Sequence, residues 1–174
     1  PVFISGATFT QLNYWPTVPQ LGTSNLLDHL GNEILMNLLY YRNFGSHQSM
    51  VVCHTIDTGS ERAGKRWYEL RNTGGGWTIY QQGTYAPADG LHRWMGSIAI
   101  NAAGDIAMGY SISGTTMYPA IAFTGRYSAD PLGQMAITEE IIFAGTGYQA
   151  GERWGDYTQM VVDPDGNNFW YVNQ

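Results

Sequence analysis

A segment of about sixty residues occurs twice in this chain and begins a third time. Arg93-Trp94 opens one copy and Arg153-Trp154 the next, each followed by an apolar run, a four-residue turn ending in glycine, and a second apolar run. The turns correspond: Arg42-Asn43-Phe44-Gly45, Asn101-Ala102-Ala103-Gly104 and Asp163-Pro164-Asp165-Gly166, with glycines 59 and then 62 residues apart. A regular period of this length marks a repeat architecture, in which each unit buries its apolar face only against its neighbours.

Within one period the pattern resolves into four strand-length runs separated by turn residues. In the second copy they fall near 96–101, 105–112, 118–125 and 137–144, and in the first near 34–41, 49–56, 65–71 and 77–83. The third copy supplies two, near 156–162 and 168–173. Residues 27–41 also match helical spacing through Leu27, Leu30, Ile34, Leu35, Leu38 and Leu39, with Ser24 as a cap, so strand and helix both stand there. A further strand is expected at Phe9–Leu12. Four-stranded antiparallel units at this period predict an all-β fold built from β-propeller blades, an incomplete propeller because a ring closes with about four blades or more. The expected organisation is a tail of a preceding blade and connecting loop over 1–32, blades over 33–91 and 92–151, and the first two strands of a further blade over 152–174. Missing blades would come from the same chain or another.

Composition agrees with strands and turns: 22 glycines and 12 tyrosines accompany 6 tryptophans, and only 13% of residues are charged. The net charge of −6, with Lys65 the single lysine and the arginines scattered, lacks the clustered cations that phosphate neutralisation needs, so nucleic acid is not an expected partner. No run of eighteen apolar residues is present, and membrane insertion through a helix is not expected either. Cys53 is alone, so neither an intrachain disulfide nor a cysteine-based metal site is possible. The four histidines, at 29, 47, 54 and 92, show no ligand spacing. Asn72-Thr73-Gly74-Gly75-Gly76 joins two strands and opens no helix, so it reads as a hairpin loop and not a phosphate cradle. Asp163-Pro164-Asp165-Gly166-Asn167 lacks the later acidic ligands of a calcium loop and reads as a strand-connecting turn. No cofactor or metal is expected. Cys53 and His54, neighbours on a strand, point to opposite faces and form no dyad.

Several of these segments together resemble a known group. Tyr41-Arg42-Asn43-Phe44-Gly45, Arg66-Trp67-Tyr68-Glu69-Leu70-Arg71, Gly76-Trp77 through Tyr85, Arg93-Trp94-Met95-Gly96-Ser97 and Arg153-Trp154-Gly155-Asp156-Tyr157 are similar to uncharacterised, secreted, multidomain bacterial proteins with loosely sialidase-like propeller blades. The likeness spans residues 22 to 173. It implies a secreted or cell-surface location and no particular reaction. The group tends to carry Asn where this chain has Cys53 and Glu where it has Gln48.

If each blade runs innermost strand first, the connections between blades and the loops from second to third strand emerge at one end of the ring. That places Asp57, Glu61 and Arg62, then His92 and Arg93, then Thr115, Thr116 and Tyr118, and finally Glu152, Arg153, Asp156 and Tyr157 on one polar, aromatic rim. Scaffold-held loops of this kind are where ligands gather. The expected ligand-binding set is Arg93, Arg153, Trp94, Trp154, Tyr118, Tyr157, Asp57 and His92. Arginines 93 and 153, at equivalent positions, would offer forked donors to an anion in an axial funnel; the competing reading packs each Trp between blades with its Arg stacked or bonded to loop carbonyls. Three functions follow. The first is a non-catalytic extracellular module binding glycan or protein surfaces. The second is a sialidase-like glycoside hydrolase with Tyr157 as nucleophile backed by Glu152 and Asp156. The third is an assembly unit whose unpaired blade edges pair between chains.

Overall fold

A computed structural model describes residues 17–30 and 39–174. These contain ten strands and no helix: β1 (Tyr40–Asn43), β2 (Gln48–Asp57), β3 (Ala63–Asn72), β4 (Trp77–Tyr85), β5 (His92–Ile100), β6 (Ile106–Gly114), β7 (Met117–Arg126), β8 (Ile137–Phe143), β9 (Gln159–Val162) and β10 (Phe169–Val172). They form three open antiparallel sheets, ordered β1-β2-β3-β4, β5-β6-β7-β8 and β10-β9. The expected strand at 9–12 and most of the run 34–41 lie outside the described residues. Of the disputed stretch, Leu27 makes a β-bridge to Val18 and Tyr40 begins β1.

The connecting turns are made by their chemistry. Asn43 Oδ1 accepts the Gly45 N–H at 2.9 Å, Asn101 Oδ1 accepts from Ala103 and Asp105, and Asp163 Oδ1 accepts from Asp165 at 3.0 Å. Each short polar side chain caps its own loop, which is why Asn and Asp start these turns. Gly45, Gly104 and Gly166 then take φ of 79°, 85° and 81°, a region closed to residues with a Cβ except at a cost. Asn72 caps the 72–76 hairpin in the same way, accepting from Gly74 and Gly76.

Alternation along the strands gives each sheet two faces. On the first sheet, Tyr40, Val51, Cys53, Lys65, Trp67 and Glu69 share what we call its front. On the second, Ile98, Ile100, Ile106, Met108 and Tyr110 share the back, and Ser97, Ala99, Ala107 and Gly109 the front. The front of the first sheet packs on the back of the second, where Val51, Cys53, Trp67, Ile98, Ile100, Met108 and Tyr110 form one buried core. The front of the second sheet in turn receives Met160 and Tyr171 from the third. Gly109 is small for that reason, since a Cβ built there would stand 2.6 Å from the Tyr171 ring. Adjacent turns are tied as well: Arg42 donates to Ile100 O, the Ala102 N–H to Gly166 O at 2.7 Å, and Asn101 Nδ2 to Asn167 O. A bulge between Trp94 and Ser97, with Met95 at φ 46°, turns the consecutive Trp94 and Met95 both inward.

Candidate functional site

The turn ends opposite these hairpins gather five pieces of chain. Segment 17–30 crosses the β6–β7 turn, where Leu21 N–H donates to Met117 O and Ser113 Oγ donates to Pro19 O. The same segment is pinned to the loop before β9 by Gln20 with Gln149, Asn25 with Ala150 O, and Asp28 N–H with Glu152 O. The β2–β3 loop joins from the other side: Ala63 N–H donates to His92 Nδ1 at 3.3 Å, and Arg62 to Pro87 O. Sequence offset thus places Asp57, His92, Tyr118 and residues 152–157 at one end of the molecule.

Beneath this end lies an apolar plug. Trp94, Val18, Leu27, Ala63 and Met95 are fully or almost fully buried together, with Trp154 packed against them. Trp94 therefore has no face to offer a ligand. Both indole Nε1 donors, of Trp94 and Trp154, lack a hydrogen-bond partner, as do both ring nitrogens of the buried His29. His92 is held far below the ordinary range of an imidazole, at about 4, by burial first and then by Arg62, His29 and Arg93, against a small opposing pull from Asp57. It stays neutral at physiological pH and works as a hydrogen-bond acceptor for the β3 backbone.

Arg93 departs from the expected funnel position. Its side chain is 0% exposed and lies at the interface of the first two sheets, with its guanidinium 5.7 Å from the Tyr85 ring centre. Nε and Nη2 fork onto Glu139 at 2.7 and 2.8 Å, Nη1 and Nη2 onto Asp89 at 3.1 and 2.6 Å, and Nη1 also donates to Leu91 O at 3.3 Å. A guanidinium has five N–H donors, and all five are engaged here. Glu139 also accepts from the Tyr110 hydroxyl at 2.6 Å. Burial and this carboxylate together keep the Tyr110 phenol protonated far into alkali. Arg93 is an internal clamp, so the two repeated arginines do not share a ligand.

Arg153 is different. It is 61% exposed and pairs with Asp156 through Nε at 2.6 Å and through Nη2. The pair borders a surface cleft of about 210 Å³ that is also lined by Gln149, Trp154, Tyr157 and Gln174. Tyr157 stands 76% exposed at its wall. A second hollow, lined by Asn25, Leu26, Ala150 and Glu152, lies across the same loop. Glu152 lines this hollow, whereas Tyr157 and Asp156 line the cleft. Among the described residues, no group of three His, Cys, Asp or Glu is placed to hold a metal ion.

The chain matches no protein-family model, no curated protein and no solved structure. Its function must be read from the cleft itself. Two contributors were hidden from sequence reasoning: Gln149, fixed by reciprocal bonds with Gln20 129 residues away, and Gln174. Neither carries a motif.

Proposed function

We propose that this chain is a non-catalytic binding module of a secreted or cell-surface protein, in which the stacked sheets are β-propeller blades and the cleft at Tyr157 recognises glycans. The observation that carries this reading is a bare phenol ring, 76% exposed, beside a cleft edged by amides and a charge-balanced pair. A sugar offers an apolar ring face and a fringe of hydroxyls. Tyr157 supplies a flat surface for the first, and Gln149, Gln174, Arg153 and Asp156 supply donors and acceptors for the second. Because Asp156 already neutralises Arg153, the site favours neutral sugars over anionic ones. The stacking of front on back through successive sheets, with equivalent turns hydrogen bonded to each other, supports the blade reading. The sialidase-like alternative loses its second arginine to the Glu139 and Asp89 clamp, and its carboxylate Glu152 to the neighbouring hollow.

A glycan array probed with the full chain and with Tyr157→Ala tests the reading. Binding to neutral glycans that weakens about tenfold or more in the variant is expected, the usual scale for loss of an aromatic anchor. No binding by the parent, or equal binding by both, would overturn it.

A further inference from the structure

Lys65, the single lysine of the chain, is fully buried where the first two sheets meet. Its Nζ donates to Thr55 Oγ1 at 3.3 Å, and among the described residues no carboxylate pairs with it. The tip of the side chain rests on Gly96, in the bulge of β5. A Cβ there would stand 2.5 Å from Cε and 2.8 Å from Nζ, so the glycine is what leaves room for the amine. Cys53 reaches the same residue, its thiol donating to Gly96 O at 3.4 Å. Register explains the meeting: Cys53 pairs with Trp67 and Thr55 with Lys65, so Cys53 and Lys65 are diagonal neighbours on the front of the first sheet. Diagonal positions lie about 7–8 Å apart, within reach of a long side chain.

A buried ammonium without a counter-ion is strongly disfavoured. Burial lowers the pKa of Lys65 and raises that of the Cys53 thiol, and each group also feels the charge of the other. Both are shifted toward their neutral forms, and a neutral amine carries a free lone pair. Dioxygen is small and apolar, so a core that shuts out larger oxidants admits it. We propose that Lys65 and Cys53 form a redox-sensitive covalent link, a nitrogen–oxygen–sulfur bridge built from dioxygen between Nζ and Sγ. One amine, one thiol and one dioxygen give one bridge and one water. An N–H bond, the S–H bond and the O–O bond break, and N–O and O–S bonds form. The two hydrogens leave with the second oxygen, and nitrogen and sulfur each give up two electrons to the dioxygen. A dithiol reductant reverses the step, returning amine, thiol and a further water. The bridge would fasten β2 to β3 beneath Gly96, and it rests on the sheet packing and not on the glycan reading.

Intact-mass spectrometry and thiol titration of the unfolded full chain test it, on protein kept free of oxygen and on protein held in air. Cys53 is the only cysteine, so the thiol count reports on it alone. In air the parent is expected to lose its thiol, to gain the mass of one oxygen less two hydrogens, and to yield a peptide in which the Cys53 and Lys65 segments are joined. Dithiothreitol is expected to restore the original mass and thiol. Lys65→Met is expected to lose its thiol at least about tenfold more slowly, because sulfur oxidation then has no amine to join. A parent that keeps both groups in air, a mass that gains oxygen without losing hydrogen, or equal thiol loss in the parent and Lys65→Met would each overturn the proposal. Circular dichroism reports whether the variant folds, and the joined peptide, read on the parent alone, decides the matter if it does not.

Discussion

Replacing Arg93 by Met removes the five-bond clamp that ties β5 to β8 and to the loop before β5, and leaves its carboxylates behind. The two arms differ in weight. Glu139 is 18% exposed and Asp89 37%, so solvent screens the Asp89 arm and its loss costs well under ~1 kcal/mol. The Glu139 arm is shielded, and removing one partner of a buried pair typically costs about 3–5 kcal/mol because the other charge is stranded. After the change, Glu139 keeps the Tyr110 hydroxyl at 2.6 Å as its remaining described partner. For a chain of this size that loss lowers the melting temperature by roughly 6–20 °C. Urea unfolding and thermal melts of Arg93→Met, Asp89→Ala, and Arg93→Met combined with Glu139→Gln measure it. Asp89→Ala is expected within about 1 kcal/mol of the parent, and the double variant to recover part of the Arg93→Met loss, since an amide needs no cation. An Arg93→Met protein as stable as the parent would refute the reasoning, because the arginine would then hold no part of the fold together.

His54 and His92 both sit at about 4 in the fold against an ordinary 6.5, burial being the larger cause for each. The unfolded chain therefore takes up more protons than the native one between these values, and stability falls as pH drops from about 6.5 to 4, by up to ~3 kcal/mol per histidine; urea midpoints that are flat over this window would contradict it. Lys65 is 0% exposed with Thr55 Oγ1 at 3.3 Å as its hydrogen-bond partner, and burial lowers its pKa. The native amine releases its proton before the unfolded one does, so the stability of the parent relative to Lys65→Met rises with pH toward the unfolded value of about 10.5, checked by denaturation of both at pH 7 and pH 9. Gly109→Ala places a methyl group against the Tyr171 ring and is expected to cost roughly 1–3 kcal/mol, read by urea unfolding, where an unchanged midpoint would contradict the packing.

Much of this architecture was legible because turns and strands are written locally. Asn101 through Gly104 announce a turn, and the runs on either side become β5 and β6 within a few residues of the expected 96–101 and 105–112. β5 starts earlier, at His92, because a bulge lets the chain keep pairing while Trp94 and Met95 both turn inward, which strict alternation does not allow for. The burial of Lys65 was also encoded, since residues 65, 67 and 69 share a face, yet a lone lysine suggests solvent. What no local pattern carries is the partner on a distant strand. Glu139, 46 residues from Arg93, lies on β8, and nothing in either neighbourhood links them. The same limit hid Gln149. Offset alone brought Tyr157, Arg153 and Asp156 to one cleft, but it also nominated Arg93 and Trp94, which strand position places in the interior.

The account depends on matching sequence offsets becoming neighbours in space. Ala102 and Gly166 occupy corresponding turns of the second and third sheets, and a Cβ at Gly166 would stand 3.4 Å from that of Ala102, close to disulfide reach. Cysteines at both positions, in a Cys53→Ala background, are therefore expected to form an intrachain disulfide on mild oxidation, read as complete loss of free thiol in a monomer. Gly166 has φ 81°, so a cysteine there strains its turn; two thiols that persist in a variant that circular dichroism shows to be folded would show that the turns do not lie side by side, and the stacked sheets and the cleft built on them would be wrong.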